Sequence, residues 1–173
     1  MIIRKASLDD IDRITEIYEK IHECEENGTY TIGWKRGIYP TSQTALSALE
    51  RDDIYVIESE GNILASAIIN GDQTPEYALG KWRYRAESDE VLVLHTLTVD
   101  PDSQNKGLGK EFVKFYETMG RQMGYKVLRI DTQVKNLSAR SFYPKFGFTE
   151  AGIVKSDFNG LGTVDLMLYE KLL

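Results

Sequence analysis

The feature of this sequence that most limits its fold is the hexapeptide Gln104-Asn105-Lys106-Gly107-Leu108-Gly109. It separates a continuous apolar run, Val91–Val99, from a run with helical spacing of apolar residues, Leu108–Met123. Two glycines here let the backbone turn sharply with no Cβ in the way. The first turn of the following helix adds unpaired N–H groups and the positive end of its dipole. Strand, glycine turn and helix N-terminus together make a cradle for phosphate. Two versions of such a cradle do not match. Gly109-Lys110 is followed by Glu111, so the hydroxyl that a P-loop places on Mg²⁺ is missing, and a dinucleotide fingerprint needs a third glycine.

Charge is distributed to suit an anionic ligand at this turn. Residues 104–145 hold nine Lys/Arg and three acids, a local charge of +6. The remainder holds twelve basic and twenty-four acidic residues, giving −12 there and −6 overall. The balance argues against general nucleic-acid binding, and the asymmetry fits a polyanion held by one part of the chain and a cation met by the other. At 173 residues the expectation is one domain with a core of its own. No apolar run reaches the length of a membrane span, the N-terminal segment lacks an apolar signal region, and the one cysteine, Cys24, rules out an internal disulfide framework. A cytoplasmic protein without a membrane partner is expected.

The first strand is expected over 1–6. A helix follows from a capping-box-like Ser7-Leu8-Asp9-Asp10, with Ile11, Ile14, Ile17 and Ile21 on one face. His22 and Cys24 near its end read as a solvated helix end; two soft ligands without a second pair make no metal site, and no metal is expected. A glycine- and aromatic-rich loop over 27–40 precedes a second helix capped by Thr41 or Ser42. Strands 54–58 and 63–70 flank the Glu60-Gly61-Asn62 turn. The segment 70–90 is long for a plain connection, so a cap over a substrate site is expected. Val91–Val99 has the character of a central strand buried on both faces. Leu108, Phe112, Phe115, Met119 and Met123 form the core face of the next helix, which stops at Gly124. A strand over 125–132, a short helix from Asn136 and two final strands, Thr149–Asp157 and 163–171, around the turn 159–162, complete the chain.

The short helix carries a second motif, Asn136-x₆-Tyr143-x-Lys145-x-Gly147-Phe148, beginning 27 residues after Gly109. In this order and at this separation, Gln-x-x-Gly-x-Gly followed by Asn…Tyr-x-Lys-x-Gly-Phe resembles the two signatures of the GNAT superfamily of N-acetyltransferases. The resemblance is firm over 91–148 and extends by element order to the whole chain. It implies an α/β (α+β) fold: a mixed, mostly antiparallel sheet of about seven strands, splayed at its middle, with helices on both faces. It also implies acetyl-coenzyme A (acetyl-CoA) as acyl donor, without a metal. Carried over, Leu97, Thr98 and Val99 offer backbone groups to the thioester and pantetheine arm. Gln104, Asn105, Lys106, Gly107, Leu108, Gly109 and Lys110 hold the pyrophosphate. Asn136 bonds the arm from the other side, Ser138 and Lys145 are further cofactor-binding residues, and Tyr143 stands near the sulfur.

Acetyl transfer to a primary amine then needs a proton donor for the departing thiolate and an acceptor for the amine proton. Tyr143 is the candidate acid. His95, which titrates near neutrality, is the leading base, with Glu90 and water as alternatives. Trp34, Tyr39, Tyr77, Trp82, Tyr84 and His95 are expected to line the acceptor side, where aromatic walls suit an amine's methylenes and its cation. The expected partner is a small cationic amine or a peptide or protein amine, with a second copy of the chain left open. A non-catalytic sensor of coenzyme A derivatives is the alternative reading, because it would need the same phosphate loop.

Overall fold

The computed structural model describes residues 1–158 and 160–173. Its strands are β1 (Ile2–Lys5), β2 (Ile54–Ser59), β3 (Asn62–Asn70), β4 (Val91–Val99), β5 (Val127–Gln133), β6 (Thr149–Asp157) and β7 (Thr163–Leu172). The helices are α1 (Ile11–Glu26), α2 (Ser42–Glu50), α3 (Leu108–Met123) and α4 (Leu137–Phe142). The strands form one sheet in the order β1-β2-β3-β4-β5-β7-β6. Only the central β4–β5 pair is parallel. The mixed, mostly antiparallel sheet with helices on both faces is thus as expected.

Alternation along the strands sorts side chains into separate cores. Val56 and Ile68 point to the face covered by α1 and α2, where Ile14, Ile17 and Tyr18 are buried. Ile57, Leu92 and Leu94 point to the opposite face, under Leu108, Phe112, Val113 and Tyr116 of α3. Val91 and Val93 share a third cluster with Tyr77, Ala151 and Leu168. β4 is therefore buried on both faces, as its unbroken apolar run requires.

Two expectations are corrected by packing. Met123 is exposed, and the buried stripe of α3 runs through Leu108, Phe112, Val113, Tyr116 and Gly120. His22 is buried, its Nε2–H donating to the Pro40 carbonyl at 2.9 Å, because the loop after α1 folds back over that helix end. In the turn expected at 159–162, Asn159 lies outside the described residues. Among the described residues, no helix is long and apolar enough to cross a membrane.

Candidate active site

The glycine turn closes as its residue types require. Asn105 and Gly107 both take left-handed backbone conformations, with φ of 62° and 75°, and Gly107 caps α3. The first helical bond runs from Glu111 N–H to Gly107 O at 3.0 Å. The N–H groups of residues 107–110 precede that bond and have no acceptor among the described residues. A Cβ on Gly107 would meet no protein atom within 4 Å, so the turn is open on that side. Gly109 is different: a Cβ there would sit 3.3 Å from Phe142 Cζ, so this glycine also lets α3 approach the short helix.

The sheet opens beside this turn. β4 and β5 pair from Val91↔Val127 to Leu94↔Ile130, and their ladder ends there. Beyond it, the β5-facing backbone edge of residues 95–99 has no strand partner. A bulge contributes to the opening. Ile68 pairs with His95 and Ser66 with Thr98, which sets Thr96 and Leu97 against Ala67 alone. Thr96 carries the strain, at φ 47°, a conformation rare for a β-branched residue. Its hydroxyl contacts the Tyr39 hydroxyl. Below the opening, the Tyr116 hydroxyl lies 2.6 Å from Leu92 O and 3.0 Å from Arg129 O, bridging both strands from α3.

Three cavities meet at this splay. On the glycine-turn side, one of about 430 Å³ is lined by Leu97, Thr98, Val99, Gln104, Gly109, Asn136, Ser138 and Tyr143, among others. At the splay itself, one of about 110 Å³ is lined by Trp34, Tyr39, His95, Leu97, Asp131, Asn136 and Tyr143. On the far side, a vestibule of about 690 Å³ is bordered by Tyr39, Asn70, Asp72, Glu76, His95, Thr96 and Phe158. Trp34, Leu97, Asn136 and Tyr143 belong to the first two cavities, and Tyr39, His95, Thr96 and Phe158 to the last two. The three cavities thus adjoin in the order glycine turn, splay, vestibule, with shared residues as their common walls.

Tyr143 is 7% exposed and sits at the start of a 3-10 turn that ends in Gly147. Phe142, Phe148 and Tyr169 surround its ring at centroid distances of 5.3 to 6.0 Å. Burial pushes its phenol well above the usual tyrosine range, with the charges of Asp131 and Tyr169 adding to the effect. Asn136 caps α4 by accepting from Ala139 N–H at 3.1 Å. Its amide nitrogen donates to no described residue.

The protonation of His95 follows from its neighbours. The Asn70 amide is oriented by two bonds: Nδ2 donates to Asp53 Oδ2 at 2.8 Å, and Oδ1 accepts from Asp72 N–H at 2.9 Å. His95 Nε2 lies 3.1 Å from both Asn70 Oδ1 and the Asp72 carbonyl. Both partners are acceptors, so Nε2 carries the proton and Nδ1 keeps a lone pair. Burial lowers the imidazole pKa, partly offset by the Asp131 carboxylate, and the ring is neutral at pH 7.

Several expected site residues lie elsewhere. Tyr77 is buried at 2% exposure, donates its hydroxyl to Asp131 Oδ2 at 2.7 Å, and borders none of the three cavities. Trp82 donates Nε1–H to the Tyr77 carbonyl at 2.6 Å and lies beneath the Arg129 guanidinium, 3.8 Å away. Tyr84 packs against the same apolar cluster. The aromatics of 77–84 thus hold the segment to the sheet, and the residues just before them, Asp72 to Glu76, form the vestibule wall. Glu90 stands before β4, about 23 Å from Leu97 at strand rise. Its bond to Lys126 holds its carboxyl below the usual range, and distance and acidity both remove it as a base. Lys106, Lys110 and Lys145 are exposed and border none of these cavities; Lys106 and Lys110 flank the turn in sequence.

One residue at the splay had no sequence signal. Asp131 follows Ile130, so it is the first β5 residue past the end of the ladder, level with His95. A lone aspartate in a strand gives no spacing to read, and its importance comes from what faces it.

Comparison with known proteins is consistent with this geometry. The model of the acetyltransferase (GNAT) family matches residues 12–148. An uncharacterized N-acetyltransferase from Methanocaldococcus jannaschii is 25% identical over 154 residues, or 88% of this chain, which spans 62% of that relative's length. A GNAT-family acetyltransferase from Streptococcus agalactiae superposes with a TM-score of 0.80 at 21% identity, covering 99% of this chain and 95% of that one. A ribosomal-protein-alanine N-acetyltransferase from Brucella melitensis gives 0.70 at 21% identity over all of both chains. A putative acetyltransferase from Salmonella typhimurium, solved with acetyl-CoA, gives 0.68 at 21% identity over 100% and 94%. At such identities the structures speak to fold, and the family model reaches the sequence itself: the chain belongs to the GNAT family of acetyltransferases.

Proposed function

We propose that this protein transfers the acetyl group of acetyl-CoA to a primary amine by direct attack, with both substrates bound together. One observation carries the reading: Tyr143 borders the glycine-turn cavity and the splay, while His95 borders the splay and the vestibule. A proton donor and a proton acceptor thus stand on opposite sides of one junction. The donor side fits the acyl carrier. The free N–H groups of residues 107–110 suit a pyrophosphate, and the unpaired edge of β4 suits the amides of a pantetheine arm. Bound there, acetyl-CoA supplies an activated acyl carbon with a thiolate leaving group.

The chain's own residues then handle protons. His95 Nδ1 takes a proton from the amine, whose lone pair must be free to attack. Backbone N–H groups of the opened β4 edge stabilise charge growing on the carbonyl oxygen. The C–N bond forms as the C–S bond breaks. Nitrogen gives up a proton, and sulfur receives one from Tyr143. A phenol with a raised pKa is a weak acid beside a thiol of about 8.5. Its donation is therefore coupled to release of the proton on the new amide nitrogen, which restores the phenol.

The test is release of free thiol from acetyl-CoA across a panel of primary amines, with coenzyme A binding measured in parallel by thermal shift. At a hundredfold excess over its dissociation constant, coenzyme A should add about 2.7 kcal/mol of stability. Binding with no thiol release on any amine would favour the sensor reading. An absent thermal shift in a cooperatively melting sample would remove the coenzyme A assignment.

A further inference from the structure

Asp131 is a partly buried carboxylate without a basic partner. Burial raises its pKa; the Tyr77 hydroxyl and the nearby His95 act the other way, and Glu76 adds to the rise. Among the described residues no Lys or Arg pairs with it, although most other carboxylates at comparable depth are paired. Asp10 is held by Arg4, Asp53 by Arg51 and Asp100 by Arg13. Oδ2 accepts from Tyr77, and Oδ1 has no donor among the described residues. The carboxylate borders the splay cavity at the closed end of the opening. An unpaired carboxylate in such a place is costly unless a cation meets it, and a charge pair is stronger there than in water.

The route to it has the same character. The vestibule is bordered by Asp72, Glu76 and Asp157, and its one arginine, Arg51, is already engaged with Asp53. We infer that Asp131 binds the cationic head of the acceptor, so that the substrates of this site are amines that are ammonium ions at neutral pH, carried on a slender aliphatic chain. The ammonium donates to Oδ1, and the methylenes behind it lie along Tyr39, His95, Thr96 and Phe158, the residues that border both the splay cavity and the vestibule. Held there, the nitrogen lies beside His95, which removes its proton before attack. Tyr77, by donating to Oδ2, favours the ionised carboxylate against the burial that raises its pKa, and an arriving ammonium favours it further. The inference rests on the acetyl-transfer reading for the identity of the site, and binding can be measured without turnover.

The experiment titrates the protein, saturated with coenzyme A, with pentylamine and with its uncharged isostere pentanol at pH 7. Calorimetry gives both affinities in the wild type and in Asp131→Asn, which keeps an acceptor for the Tyr77 hydroxyl. The wild type should favour the amine at least tenfold, and the variant should erase that preference while pentanol affinity and the coenzyme A thermal shift stay unchanged. A wild type with no preference for the amine, or a variant that retains it, overturns the inference. Wild-type protein that binds pentylamine selectively yet releases no thiol with any amine sinks the acetyl-transfer reading and leaves the binding role standing. If Asp131→Asn does not fold, Tyr77→Phe takes its place. Loss of that donor raises the carboxylate pKa, so amine preference, present above the pKa and lost as pH falls through it, should disappear at a higher pH than in the wild type. His95, Glu76, Tyr39 and Tyr143 also face Asp131 and are common to both proteins. An unshifted pH dependence overturns the inference.

Discussion

In the function proposed above, the two sides of the splay recognise their ligands by different means. On the donor side the work is done by backbone: N–H groups of a glycine turn, the first turn of α3 and the unpaired edge of β4. On the acceptor side it is done by side chains gathered from distant segments, with His95 on β4, Asp131 on β5, Tyr39 from the loop before α2, and Asp72 and Glu76 from the segment after β3. Backbone recognition demands particular backbone conformations, and those demand glycine at positions such as Gly107, with φ 75°. Side-chain recognition leaves no such imprint. The donor side can therefore be shared across a family while the acceptor side changes freely.

The sharpest way to break this contrast is Tyr143→Phe, because Tyr143 borders both the glycine-turn cavity and the splay. Its ring is packed among Phe142, Phe148 and Tyr169, so loss of the hydroxyl alone should leave folding and coenzyme A binding near normal. We expect kcat to fall by about 10²–10⁴, the scale for a positioned proton donor. The loss should shrink for an acyl donor with a more acidic leaving thiol. Wild-type kcat, measured where chemistry limits turnover, would return Tyr143 to the core.

Gly107→Val separates the sides next. A β-branched residue in the left-handed region costs about 1–2 kcal/mol of backbone strain. No protein atom blocks its side chain, which enters the open space beside the turn that the ligand would need. Coenzyme A should bind more than tenfold more weakly by calorimetry, with the acceptor KM unmoved. Normal cofactor affinity with a lowered Tm would mean the turn serves only the fold.

The smallest kinetic effect is expected at Trp82. Its indole packs under Arg129 and onto Tyr77, away from the vestibule, so Trp82→Ala should leave both KM values within about twofold. Stability should fall by about 2–3 kcal/mol, less than for a fully buried tryptophan. A raised acceptor KM with an unchanged Tm would put this segment back on the acceptor side.

These cases show why legibility was uneven. β4, α3 and β6 were readable to the residue, since an unbroken apolar run and glycine stops signal locally. Trp34 and Tyr39 do border the splay, yet Tyr77, Trp82 and Tyr84, with the same composition and a similar loop setting, do not. Aromatic residues serve a wall and a core equally well, and only packing distinguishes the two uses.

What the sequence alone determined is the order of elements, the glycine turn and the paired motifs, because each depends on a few neighbouring residues. The tertiary structure decided where the ladder between β4 and β5 ends, which nitrogen of His95 carries the proton, and that the Asp131 carboxylate meets the splay cavity without a cation. Tyr77 and Asp131 are 54 residues apart and Asn70 and His95 are 25 apart. Their chemistry exists only once the sheet has folded and burial has set its terms, because desolvation and hydrogen bonds from distant strands fix the protonation of each group.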